Sequence, residues 1–305
     1  MSRIRSTFLA HPWAILDEKL DALIAVVERF EAGAHLTAEE VAVILHQAGP
    51  APQPSTGQGV AVIPVYGVLS ARMNLLTETS GGTSYEQLAS RVREAMADET
   101  VGSIIYDVDS PGGSVNGAGE TASEILSYRG RKPMTAVANH TMASAAYWLM
   151  ASADEIVVAP SSLVGSVGVI GVHENVAGAL EKTGVAVEIL KAGAHKGEGH
   201  PYGPLSEDAR GHLMSMLATH YQAFVGHVAA ARGMAVSAED IETETACGGG
   251  RGYLGHEAVS RGLADRVGTL RDVVREARSG QVSARRARAG RARAEYQARL
   301  RRIAG

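Results

Sequence analysis

Cysteine is almost missing from this chain. The 305 residues hold one, Cys247, so no intrachain disulfide can form and no zinc site can be built on cysteine thiolates. No apolar stretch approaches the ~20 residues that a membrane-spanning helix needs. At the N-terminus, Arg3 and Arg5 are not followed by a continuous apolar run, because His11, Pro12 and Asp17 interrupt it. No signal peptide is expected, and a cytoplasmic protein is. Lysine is scarce too: of five in the chain, Lys191 and Lys196 lie in one short segment. Net charge is small, −4, but uneven. Residues 281–305 carry eight arginines and one glutamate, +7, which leaves −11 for the other 280 residues. An acidic body with a short basic tail confines electrostatic contact to the tail and argues against a nucleic-acid-binding domain.

The length leaves room for one large domain or two modest ones. Residues 13–31 read as an amphipathic helix, with Leu16, Leu20, Leu23, Val27 and Phe30 on one stripe. Thr37 and Glu40 form a capping box for a second short helix ending near His46. The stretch up to Gln58 is rich in Gly, Pro, Gln and Ser and has no period. Residues 1–50 are therefore expected to be a small helical extension, and 51–58 a linker. From Gly59 onward, strand and helix patterns alternate. Strands are expected at 60–65, 101–108, 134–138, 155–159 and 185–190, and helices at 85–97, 117–128, 143–151 and 174–182. Residues 164–172, spaced by three glycines, read as a strand pair or bend. Such alternation predicts an α/β fold of right-handed crossovers around a mostly parallel sheet. A long helix to about Arg232, a capping pattern over 237–245, a short helix and strand within 253–267 and a helix at 269–278 complete a domain of residues 59–280. Residues 281–305 are expected to be disordered.

The chemistry gathers between Asp109 and Ser144. An apolar run, Ile104 to Val108, leads into Asp109-Ser110-Pro111-Gly112-Gly113, where proline and a glycine pair force a turn and expose backbone N–H groups. Ser144 then stands at a helix start, in Met142-Ala143-Ser144-Ala145-Ala146-Tyr147-Trp148. A hydroxyl nucleophile and nearby N–H donors are what acyl transfer needs, but a serine also needs a base. Lysine is one choice, in the loop Ala192-Gly193-Ala194-His195-Lys196. A solvated lysine holds its proton to about pH 10, so a lysine base has to be buried, which can lower that value by up to about 3–5 units. Lys191 is a rival base. His140 would need an aspartate partner to serve as one. His195 and His200 suggest a metal pair, but no third ligand is evident.

Taken together, these motifs resemble the signal peptide peptidase A (protease IV) family of Ser-Lys peptidases. Gly165-Ser166-Val167-Gly168-Val169 and Gly255-His256-Glu257-Ala258 with Gly262-Leu263-Ala264-Asp265 are similar to it as well. The run from Lys196 to Tyr202, and Leu205 to Arg210, resemble the lambda-type phage head proteases within that family. The resemblance spans about residues 59–270. It implies that Ser144 is the nucleophile, Lys196 the general base and Ser166 a serine that orients the lysine amine, with the N–H groups of Gly113 and Ala145 as oxyanion donors. It also implies the fold shared by Clp proteases and crotonases, of repeated ββα units, and a homo-oligomeric ring. The substrates implied are scaffold and portal proteins during procapsid maturation, and the chain itself, in the host cytoplasm or inside the procapsid. No cofactor, metal, nucleic acid or membrane is expected. A signal-peptide-digesting peptidase of the same chemistry is the alternative, and a crotonase-like acyl-CoA enzyme or a non-catalytic oligomeric module is the rival of another class.

Overall fold

The computed structural model describes residues 11–34, 37, 40, 43, 55–57, 59–72, 82–233 and 248–280. In chain order the strands are β1 (Trp13–Ile15), β2 (Ser55–Gly57), β3 (Val60–Tyr66), β4 (Leu69–Ser70), β5 (Thr83–Ser84), β6 (Ser103–Ser110), β7 (Gly112–Ser114), β8 (Met134–Ala143), β9 (Glu155–Val158), β10 (Leu163–Gly165), β11 (Gly252–Leu254) and β12 (Arg266–Val267). The helices are α1 (Asp17–Glu31), α2 (Tyr85–Ala97), α3 (Ala118–Ser127), α4 (Ala145–Met150), α5 (Ala177–Lys182), α6 (Glu207–Arg232), α7 (Gly255–Ser260) and α8 (Leu270–Arg278).

Strand β6 explains the larger sheet. Its sequence, SIIYDVDS, is apolar at successive positions, as a strand covered on both faces must be. Ile104, Tyr106 and Val108 point into the main core, which α2, α3, α4 and α6 cover. Ile105 points the other way, against Val60, Val137, Val157 and Val273 of α8. β6 lies between β3 and β8, parallel to both. The full order is β11-β10-β8-β6-β3-β2, with β9 beside β8 and β12 beside β9. Only β2 and β11, at the edges, pair antiparallel. The chain is thus a mixed α/β structure with mostly parallel sheets. A smaller sheet, β1-β7-β4-β5, stands at its side.

Strand β8 changes partner along its length. Thr135–Ala138 pair with β9, whereas Thr141–Ala143 pair with β10. Ten residues long, it exceeds the strand expected at 134–138, because β10 supplies a second ladder beyond Asn139 and His140. α4 is wholly buried, and Trp148 stacks on Phe224 of α6 at 4.5 Å between ring centres. Arg129 ties the two helix ends together, donating to the carbonyls of Ala231, Ala151 and Ala153.

Three expectations change. The helix read over 13–31 begins only at Asp17; Trp13–Ile15 form β1, packed under Leu20, Leu23 and Val26. Three apolar residues before a helix fit either period, and pairing decides for strand. Residues 55–57, read as linker, pair with β3. Residues 185–190 form no strand, and Val185, Val187, Ile189 and Leu190 are exposed. Their alternation is genuine, but no edge pairs with them. The Thr37–Glu40 capping box closes reciprocally, at 2.8 and 3.2 Å. The helix end near His46, the 237–245 capping pattern, Cys247 and the basic tail lie outside the described residues.

His227 on α6 makes the fold sensitive to acid. Its Nε2 lies 2.9 Å from Ser152 Oγ, which itself donates to the Ala122 carbonyl. Nε2–H must therefore be the donor. Burial, and then the Arg129 charge, lower its pKa to about 4 from 6.5. Above pH 6.5 neither folded nor unfolded chain holds this proton. Below it the unfolded chain takes the proton first, so stability falls down to about pH 4 and no further. With the ring partly solvated, about 1–2 kcal/mol is expected over that window. His227→Gln should remove this acid-side slope in urea melts at pH 6.5 and 4.5; parallel wild-type and variant curves would count against it.

Candidate active site

The site forms where two neighbouring parallel strands end. β8 and β10 run side by side with Ala143 opposite Gly165. The next residue on each strand is a serine, Ser144 and Ser166. Both have φ +54°, and among the described residues they are the only non-glycine residues with positive φ. Ser144 turns the chain from β8 into α4. Its N–H donates to the Gly165 carbonyl at 2.8 Å, and its own carbonyl accepts the Trp148 N–H, closing the first helical turn. The Ser166 N–H donates to the Arg251 carbonyl at 2.9 Å. A sharp turn from strand to helix at positive φ is the backbone geometry on which nucleophile elbows are built.

The glycine turn lies directly against Ser144. A methyl group placed on Gly112 would sit 2.9 Å from Ser144 Cβ and 3.0 Å from the Ala145 nitrogen. Ala145 opens α4, so its N–H is one of the donors that a helix leaves unused. Gly113 is the middle of β7, and a methyl group there would lie 1.9 Å from the Leu69 carbonyl oxygen. Ser110 fixes the turn: its hydroxyl donates to the Gly67 carbonyl at 2.6 Å and accepts the Gly112 N–H at 3.3 Å. The structure thus brings Ser144, Ala145, Ser166 and the glycine turn together.

Lys196 is not brought to them. It is exposed, on the irregular segment after α5, and no hydrogen bond joins its amine to Ser144. Its neighbour His195 bonds Glu198 at 2.7 Å and lies 3.6 Å from Asp208. The Glu198 hydrogen bond holds the imidazole pKa above its ordinary value. These three side chains could offer ligand atoms to a cation; His195 and Asp208 are exposed, Glu198 is half-buried, and they pair as ordinary ions. The rival Lys191 donates to the Ala194 carbonyl within its own loop.

Sequence reasoning saw no aspartate for His140, yet one is there. Asp109 Oδ2 lies 3.5 Å from His140 Nδ1. Behind it, Asp107 accepts from the Tyr66 hydroxyl at 2.5 Å. Burial raises both carboxyl pKa values. Asp109 opens the very stretch that ends at Ser144, so the pair was visible as a spacing but not as a contact. No hydrogen bond carries it on to Ser144.

A second feature went unread. β1 pairs antiparallel with β7, Ala14 opposite Gly113. On its other edge, Trp13 and Ile170 exchange two backbone bonds of 2.8 Å. Residues 13–15 are buried, as is Ser144 at 1% exposure.

A serine in a sharp strand-to-helix turn beside a glycine turn, on a mostly parallel α/β frame, is a geometry that suits a hydrolase. The chain belongs to peptidase family S49, which matches residues 128–284. It is 36% identical over 248 residues to capsid assembly protease C of Escherichia phage lambda, covering 79% of this chain and 55% of that protein. It is 33% identical over 216 residues to the head-tail preconnector protein GP5 of Enterobacteria phage P21, covering 71% and 42%. Protease 4 of Salmonella typhi is 30% identical over 223 residues, covering 73% and 34%. The chain spans about half the length of the phage relatives that it matches.

Proposed function

We propose that the chain is a serine endopeptidase in which Ser144 attacks a peptide carbonyl and Lys196 is the general base. The observation that carries this is the paired left-handed turn at Ser144 and Ser166, set against Gly112 and the Ala145 N–H. Ser144 Oγ would add to the carbonyl carbon while the Gly113 and Ala145 N–H groups hold the oxyanion. Lys196 would take the serine proton and return it to the leaving amine, and water would then release the acyl group. Ser166, one strand over, would orient the amine. Lys196 has to move inward for this, and a second copy covering the exposed Val185, Val187 and Ile189 would bury its segment. A homo-oligomeric ring is the arrangement this favours.

We place the peptidase domain at residues 59–280, with the Clp protease/crotonase type of fold, between an N-terminal extension with its linker and a basic tail. The substrates proposed are scaffold and portal proteins of a phage procapsid, acted on in the host cytoplasm or inside the procapsid. The similarity to two phage head proteins supports this. No helix of the described residues is long and apolar enough to cross a membrane.

The test is digestion of casein and of purified scaffold and portal proteins by the wild type and Lys196→Ala. A loss of about 10³-fold or more is expected for a missing base. Unchanged cleavage by this variant would remove Lys196 from the mechanism.

A further inference from the structure

Strand β1 lies where a peptide substrate of this site would lie. An antiparallel ladder alternates between pairs that exchange two hydrogen bonds and pairs that exchange none. The Val115 N–H donates to the Pro12 carbonyl at 3.3 Å, and the Leu16 N–H to the Pro111 carbonyl at 3.0 Å. Ala14 and Gly113 stand midway between those two bonded pairs, so they are a bonded pair as well. The Gly113 N–H is therefore occupied by the Ala14 carbonyl.

A second observation puts that carbonyl at the nucleophile. The methyl position on Gly112 that lies 2.9 Å from Ser144 Cβ and 3.0 Å from the Ala145 nitrogen lies 2.2 Å from the Ala14 oxygen. The Ala14 carbonyl, the nucleophilic residue and both oxyanion donors converge on one small volume. Ala14 is wholly buried in the main core, whereas Trp13 and Ile15 face the opposite way, into the cluster under α1. Ile170 closes the other edge through a single antiparallel bridge to Trp13, so β1 is held from both sides. Past Pro12 the groove continues into a cavity of about 380 Å³, lined by His11, Gly171, His173, Leu213 and Leu217. The groove is longer than the segment it holds.

The geometry points to self-occlusion: residues 12–16 fill the chain's own substrate groove as a pseudo-substrate strand, with Ala14 at the position before a scissile bond. This rests on the peptidase reading above. An extended peptide can bind between β7 and Ile170 only when β1 leaves, since both backbone edges are already paired. Occupation, not damage to the catalytic groups, keeps the site closed. The helix α1 packed on Trp13 and Ile15 holds the strand in place.

The test uses the full chain and a fluorophosphonate, which labels an activated and reachable serine whatever the natural substrate. Ala14→Arg puts a guanidinium where a buried methyl group stood and should expel the strand. Labelling of Ser144 is expected to run about tenfold faster or more than in the wild type. The peptide His-Pro-Trp-Ala-Ile-Leu, copied from residues 11–16, should slow it again, and the same peptide with arginine in place of alanine should not. Circular dichroism checks the fold. If Ala14→Arg does not fold, Trp13→Gly loosens the strand from α1 and reads the same rate. Equal labelling of wild type and a folded variant, with no effect of the peptide, would overturn the occlusion and leave the Ser-Lys reading standing. A Ser144 that is never labelled, in any variant, would sink the peptidase reading and the occlusion with it.

Discussion

Ser144→Ala is expected to lower peptide hydrolysis by about 10⁴–10⁶-fold, the range seen when the nucleophile of a serine peptidase is removed. The same change should leave stability within about 0.5 kcal/mol of the wild type. The two halves of this expectation have separate causes. The bonds that hold the Ser144 turn, its N–H to the Gly165 carbonyl and its carbonyl from the Trp148 N–H, are made by the backbone and survive the change. Alanine also meets the same backbone strain at φ +54° as serine does. Casein digestion and a urea melt on one preparation check both. A variant that still digests casein would show that the hydroxyl is not the nucleophile. One that loses activity and stability together would point to a structural role instead.

Gly113→Ala is expected to fail in the other way, through the fold. The added methyl would lie 1.9 Å from the Leu69 carbonyl oxygen and 2.6 Å from the Leu69 carbonyl carbon and nitrogen. All three are backbone atoms, and β7 is paired on both edges, to β1 and β4. Nothing nearby is a flexible side chain that can swing away. Relief requires parting β7 from β4, at a cost of about 3 kcal/mol or more. Because β7 carries the Gly113 N–H proposed as an oxyanion donor, labelling of Ser144 by a fluorophosphonate should fall as well. Denaturant unfolding reads the first effect and labelling rate the second. A variant as stable as the wild type would mean that β4 and β7 are not packed this closely.

Much of the frame was legible because it rests on local period. β3, β6 and α2 lie within a few residues of where their apolar patterns place them, and Ser206 caps α6 by accepting the Ala209 N–H. The serine elbow was legible as a motif, small residues before a helix start. What escaped depends on partners. Trp13-Ala14-Ile15 is too short to show a period, and its leucine neighbours made it look helical; only the edge of β7 makes it a strand. Residues 185–190 have strand alternation but no partner edge. Asn139 and His140 are polar enough to end a strand, yet pairing carries β8 past them. For Lys196, spacing along the chain placed it in a loop and could not place it against Ser144.

The twin turns at Ser144 and Ser166 bear on how such a protein can change. Each holds an ordinary L-residue in a region costing about 1–3 kcal/mol, against a net stability of about 5–15 kcal/mol for a typical domain. Glycine would sit in either turn without that strain. A chain selected for heat resistance alone would drift toward glycine at both places and lose both hydroxyls. If both hydroxyls serve the proposed reaction, thermal hardening of this protein has to come from elsewhere, and the two strand ends mark where robustness and reactivity are opposed.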